Sequence, residues 1–369
     1  MIRLSAIAPV LFLAACSNAE IGAVYQHDQC HRLTLVDEDK QKPVIGAEDI
    51  TRLPNGDVLI SAYDRRTTTK EGFSPEGGLF IVPRDALNKK QFSVRSLVDV
   101  PDWGLRPHGI DAIEMGEDHI RIAFINRGVG RDKEPVNQIV TFDIENGRVN
   151  SLEILNNGHF CNANDLAWRN TETLYVTIDQ SACGGLSAVF ENILNSARGK
   201  TLEVKYGYGG KATLLTSGQT FPNGIGIKQL KWPNTDEDQY FAVAETRANR
   251  ISFYPFAPDK DNRWQAVELP GSPDNITVGK PGLILAAVHP NLFDLALYRY
   301  NWPFGSKAPS RIVKVTGSQT LTLFDDPTGA FYSAASVAVP TWGKLVIGSV
   351  GEIGVLVCSP DKVSAGGAA

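Results

Sequence analysis

The sequence predicts an all-β fold, a six-bladed β-propeller, on three observations. One phrase recurs six times, its copies are evenly spaced, and each copy reads as strand, turn, strand. The phrase opens with a small cluster of Asp, Glu, Asn, His, Gly or Ala. An apolar strand of about four to seven residues follows, then a turn and a second apolar strand. The copies begin at Glu48 (EDITRLPNGDVLIS), His108 (HGIDAIEMGEDHIRIAFIN), Asn164 (NDLAWRNTETLYVT), Asn223 (NGIGIKQLKWPNTDEDQYFAVAE), Asp274 (DNITVGKPGLILAAV) and Ala335 (ASVAVPTWGKLVIGS). Their starts lie 60, 56, 59, 51 and 61 residues apart. A strand-built unit of that size marks a propeller. Each small sheet cannot bury both faces alone, so the sheets pack radially round a central channel.

The copies fill residues from about 45 to 358 of a 369-residue chain, so one propeller domain is expected over residues 30–369. The 34 Gly and 21 Pro suit many short strands and tight turns. A net charge of -5 with no basic patch argues against nucleic acid as a partner.

In a propeller the innermost strand of each blade starts near the axis, so equivalent residues of the copies form a ring. Five ring positions read Glu48-Asp49, His108-Gly109, Asn164-Asp165, Asn223-Gly224 and Asp274-Asn275, and the sixth is Ala335-Ser336. Several negative charges cannot share one dry site without a cation. The donors are oxygens with a single His and no Cys, which matches calcium with its many oxygen ligands better than zinc or magnesium.

The N-terminus reads as a targeting segment. Arg3 precedes an apolar stretch from Leu4 to Leu13, and Leu13-Ala14-Ala15-Cys16 resembles a bacterial lipobox. Residues 1–15 are expected to be a lipoprotein signal peptide, with Cys16 lipidated and residues 16–29 carrying it on a tether. That places the protein in the bacterial envelope, anchored to the membrane by lipid and facing the periplasm from the outer membrane. The alternative is an ordinary secretory peptide with an incidental Cys. Four cysteines remain, with three possible connectivities. Cys30 precedes the first copy and Cys358 follows the last, so Cys30–Cys358 would staple the seam where a propeller closes. Cys161–Cys183 would brace the loop beside the third ring position.

The phrases GAEDITRLPNG, RPHGIDAI, NANDLAW, FPNGIGI, AETRANRISFY, SPDNITV and VHPN, in this order, resemble the paraoxonase/arylesterase family. That family belongs to a superfamily of six-bladed, calcium-dependent phosphotriesterases with gluconolactonase-like members. The resemblance runs from Cys30 to Cys358 and implies two calcium ions in or near the channel. It implies a catalytic ion held by Glu48, Asn164, Asn223, Asp274 and Asn275. It implies a structural ion held by Asp49, Asp165 and the backbone carbonyl of Ile110. The terminal disulfide of the family falls at Cys30 and Cys358.

The pattern breaks at one place. His108 matches the first His of the dyad proposed for the family, but the second aligns with Arg127. Arginine stays protonated and cannot act as a base, though it can bind a carboxylate or steady an oxyanion. His108 and Asp274 are therefore the candidate bases, with Arg127 as a catalytic auxiliary. Phe221, His289 and Arg66, the last from the cationic loop Tyr63-Asp64-Arg65-Arg66, are candidate pocket residues. The expected activity is hydrolysis of a small-molecule ester, as a lactonase with arylesterase activity. Two alternatives stand beside it. One is a sugar-lactone hydrolase, which cationic groups at Arg66 and Arg127 would favour. The other is a calcium-stabilised binding module without activity.

Overall fold

The computed structural model describes residues 24–360 apart from 101, 131–133, 184–195, 208, 229–239, 257–262, 264 and 280–282. The expected signal segment, Cys16 and the start of the tether lie outside the described residues. Among the described residues there are six sheets, antiparallel but for the parallel pairing of Cys30–Asp37 with Gln91–Val94. Their first strands are Ala47–Arg52, Pro107–Gly116, Ala163–Asn170, Pro222–Lys228, Ser272–Gly279 and Ala335–Thr341. All six heads of the repeated phrase therefore sit on first strands. Each of these strands touches the next, and the sixth touches the first. That closed circle is the wall of the channel, and the fold is a six-bladed propeller.

Between neighbouring blades lies one apolar layer per interface. Ala123, Ile125 and Ile139 of the second blade meet Leu166, Trp168 and Val176 of the third. Ala167 and Tyr175 of the third meet Ile225 and Phe241 of the fourth. The remaining four interfaces are filled in the same way. Each fully buried large side chain contributes roughly 1.5–3 kcal/mol relative to exposure, so the cohesion is spread round the ring.

The seam closes as its cysteines predict. The strand Cys30–Asp37 pairs antiparallel with Val355–Cys358, the third strand of the last blade. Cys30 lies directly opposite Cys358, and a disulfide joins them. A second disulfide joins Cys161 and Cys183. The seam bond spans 328 residues. Cross-links of long loops stabilise by about 2–5 kcal/mol, mainly by restricting the unfolded chain. Cys30→Ala with Cys358→Ala is expected to lower Tm by roughly 5–10 °C, measured by thermal denaturation beside the parent. An unchanged Tm would mean that the strand pairing alone holds the seam.

One backbone feature prepares the site. Residues of a strand alternate between faces, yet adjacent ring residues must both serve the channel. Each of the six first strands carries a register irregularity at its ring pair, for example between Ala47 and Asp49 and between Pro273 and Ile276. Bulges of this kind re-aim side chains. Two ring glycines have a different cause. A Cβ on Gly109 would stand 2.5 Å from the Asp165 Cα, and one on Gly224 would stand 2.6 Å from the Asn275 Cα. The blades approach too closely there for any side chain.

Candidate active site

The re-aimed pairs divide between two cavities. Glu48, His108, Asn164, Asn223 and Asp274 line a larger one of about 450 Å³. Asp49 and Asp165 line a smaller one of about 130 Å³, together with Ile110 and Asp111. Asn275 lines neither; its amide donates to the Glu48 carbonyl at 3.1 Å and ties the fifth blade to the first.

In the larger cavity the amides are oriented by their nitrogens. Asn164 Nδ2 donates to Asp179 Oδ2 at 3.3 Å, and Asn223 Nδ2 donates to Asp274 Oδ1 at 2.6 Å. The Oδ1 atoms of Asn164 and Asn223 are buried with no hydrogen-bond partner among the described residues. A buried acceptor without a donor is costly, and a hard cation meets its need. Among the described residues no three Asp, Glu, His or Cys side chains stand together as a metal cluster. A cation here would depend on amide and carbonyl oxygens as well as on carboxylates, a donor set that calcium accepts and zinc does not.

In the smaller cavity, Asp49 accepts from the backbone N–H of Ile50 and Ile110, at 2.9 and 2.7 Å. Asp165 accepts from Leu166 and Ile225, both at 2.8 Å. Asp111, three residues beyond the ring position His108, accepts from the Trp168 N–H at 2.7 Å. Each aspartate thus latches its blade to the next. Burial, with the Glu48 charge nearby, pushes Asp49 well above the usual carboxylate range, and burial with the Asp49 charge does the same to Asp165. Burial raises Asp111 to about 6. Asp49 and Asp165, whose charged forms burial and neighbouring carboxylates disfavour, are two groups that a cation would stabilise.

His108 is set against Glu48, with its Nδ1 2.7 Å from Glu48 Oε2. Arg65 Nη2 reaches the same carboxylate oxygen at 3.2 Å and His108 Nδ1 at 2.9 Å. Burial alone would raise the Glu48 carboxyl, but His108 and Arg65 outweigh it and hold the group below its ordinary range. Burial and then the Arg127 charge push the His108 imidazole down to about 3. It is neutral at working pH, a weak base oriented by a carboxylate. Across the cavity His289 Nε2 stands 2.8 Å from Asp274 Oδ2.

Arg127, Phe221 and His289 line the larger cavity. Phe221 does so in a left-handed backbone conformation, φ 54°, of a kind that collects at functional sites. Arg66 is a correction. Its guanidinium lies over the Tyr298 ring at 4.0 Å and bonds the Tyr298 carbonyl and Asn301 Oδ1, both at 2.9 Å. From this loop, the guanidinium that lines the cavity is that of its neighbour Arg65. Asp179, Arg247 and Arg299 also line it, and no repeat in the sequence marked them. Asp179 follows the second strand of its blade, Thr173–Ile178, and burial raises it to about 6 against the pull of Arg127.

A family model described as Arylesterase matches residues 29–358. The chain belongs to the arylesterase family. Among solved structures, an X-ray structure of a gluconolactonase candidate is 13% identical, with a TM-score of 0.54 over 90% of this chain and 91% of that one. A crystal structure of a protein of unknown function from Dyadobacter fermentans is 8% identical, with a TM-score of 0.53 over 89% and 98%. At such identities these likenesses speak for the propeller fold of this arylesterase-family chain. No curated protein matches it.

Proposed function

We propose that the protein is a calcium-dependent hydrolase of carboxylic esters, a lactonase with arylesterase activity. The observation that carries this reading is the pair of partnerless amide oxygens, Asn164 Oδ1 and Asn223 Oδ1, in one cavity with Glu48 and Asp274. Family membership supports hydrolysis of esters. Glu48, Asn164, Asn223 and Asp274, with Asn275 behind them, would hold the catalytic ion. Asp49, Asp165 and the Ile110 carbonyl would hold the structural one. Calcium, when bound, polarises an ester carbonyl and stabilises the negative charge that develops on its oxygen.

The chain's own groups do the rest. With its proton on Nδ1 and donated to Glu48, the tautomer in which Arg65 bonds Glu48 and not the ring, His108 would leave Nε2 to accept a proton from the attacking water. Asp274 is the second proton acceptor in reach of the cavity, oriented by Asn223 and His289. Leu292, Leu295, Ala296 and Val350 form an apolar wall for the acyl chain. The two disulfides support export to an oxidising compartment.

The test is turnover of phenyl acetate and δ-valerolactone by the purified protein, before and after EDTA. Both are expected to be hydrolysed, to lose turnover with chelator and to regain it with calcium. Turnover of neither by calcium-loaded protein would make the propeller a binding module. Full turnover after rigorous chelation would remove the metal from the chemistry.

A further inference from the structure

The larger cavity carries more positive charge than ester hydrolysis needs. Four arginines line it, Arg65, Arg127, Arg247 and Arg299, against three carboxylates, Glu48, Asp179 and Asp274. Two of the carboxylates are already engaged. Glu48 is paired with Arg65, and Asp274 is bonded to Asn223 and His289. The third, Asp179, is bonded to the Asn164 amide. The charges of Arg127, Arg299 and Arg247 all act on it, yet neither Arg127 nor Arg299 makes a hydrogen bond or ion pair with it. Among the described residues the Arg127 Nε is buried with no partner. Arg247 is propped on the Phe221 ring at 4.8 Å, which fixes a guanidinium at the cavity wall. Arg299 ends the helix Leu292–Arg299, whose Leu292 and Leu295 form the apolar side of the same cavity.

We propose that the substrate is an ester or lactone bearing a carboxylate, which Arg127, Arg247 and Arg299 hold at a distance from the scissile bond while its hydrocarbon lies on Leu292 and Leu295. The inference rests on the ester-hydrolase reading and names the class of substrate for that site. Guanidinium groups bind carboxylates through short, charge-assisted bonds. A guanidinium with a buried Nε that lacks an acceptor, as in Arg127, is stabilised by a ligand that brings one. A neutral aryl ester leaves that need unmet.

The experiment compares monophenyl glutarate with phenyl pentanoate. They share the acyl length and the phenolate leaving group and differ in the distal carboxylate. The calcium-loaded parent is expected to favour the acid, by about tenfold or more in kcat/KM. Arg247→Gln and Arg299→Gln are each expected to cut that preference by roughly tenfold, and Arg247→Lys to retain part of it. Raising ionic strength is expected to shrink it as well. Equal kcat/KM for the two esters on the parent, or an unchanged ratio in both glutamine variants, would overturn the inference and leave ester hydrolysis standing. Arg127→Gln separates two roles for that residue: a fall for the acid alone supports it as an anion ligand, and an equal fall for both esters removes it from the set. Calorimetry with glutaramate, the half-amide of glutarate, and neutral pentanamide reads the same site without catalysis. If neither ester is turned over, the hydrolase reading fails. Tighter binding of glutaramate, lost in Arg247→Gln, then still upholds a carboxylate site, and equal binding overturns it.

Discussion

Asp274→Ala is expected to lower the kcat/KM for phenyl acetate on the order of 10³-fold while leaving a folded propeller. Three contributions meet in this side chain. Its carboxylate would be a ligand of the catalytic ion, its Oδ1 fixes the Asn223 amide at 2.6 Å, and its Oδ2 holds His289 at 2.8 Å. Truncation removes one charge and frees an amide and an imidazole together. Asn223→Ala is expected to act in the same direction, because it removes one of the two partnerless oxygens. His108→Gln is the informative comparison. A base pushed down to about 3 takes up a proton weakly near neutral pH, so its loss is expected to cost on the order of 10²-fold, the lower end for general-base catalysis. The measurements are steady-state kinetics, circular dichroism and bound metal by atomic emission. Wild-type activity and metal content in Asp274→Ala would remove this residue from the site. A larger loss in His108→Gln than in Asp274→Ala would make proton transfer the dominant contribution.

The six blades were legible because every copy of the phrase shows alternating apolar residues, a turn and a shared head. The ring was legible for the same reason: its polar residues occupy one offset in all copies. The six irregularities that sort the ring pairs into two cavities leave no mark in composition, since a bulge is set by how two strands pair. The choice between Arg65 and Arg66 was equally hidden. Adjacent loop residues point apart, and only packing decides that Arg66 lies on Tyr298 while Arg65 reaches Glu48. Asp179, Arg247 and Arg299 belong to no repeat. They come from the end of a second strand, a short 3-10 turn and a helix. Blade-specific insertions are where one propeller differs from another, so the residues that select a substrate were the least readable. Asp111 was visible in RPHGIDAI but lay outside the paired ring motif. Its contact with the Trp168 N–H joins those of Asp49 and Asp165 in a run of latches from the first blade to the fourth.

Calcium is expected to raise Tm, and to raise it more at pH 8 than at pH 5. The reason lies in the smaller cavity. Without a cation, burial and neighbouring charge hold Asp49 and Asp165 well above the usual carboxylate range, whereas in the unfolded chain an aspartate titrates near ~3.9. A group that binds its proton more tightly when folded favours the folded state in acid. That contribution is complete below the unfolded value and is lost as pH rises through the raised folded value. Chelated protein is therefore expected to lose stability steadily from about pH 4 upward. A bound cation removes the penalty by pairing the ionised forms, and ligand binding to the native state adds about 4 kcal/mol when the ligand is ~1,000-fold above its Kd. For a chain of this size that corresponds to a shift on the order of 5–10 °C. Asp165→Asn supplies the decisive control. The amide cannot ionise, so the chelated variant is expected to show a flatter pH profile than the chelated parent and only a small response to calcium. Melting curves at pH 5, 6.5 and 8, with EDTA and with millimolar calcium, measure all of this. A Tm indifferent to rigorous chelation at pH 8 would show that Asp49 and Asp165 hold no ion. In that case the latches to Ile110 and Ile225 would be their whole role.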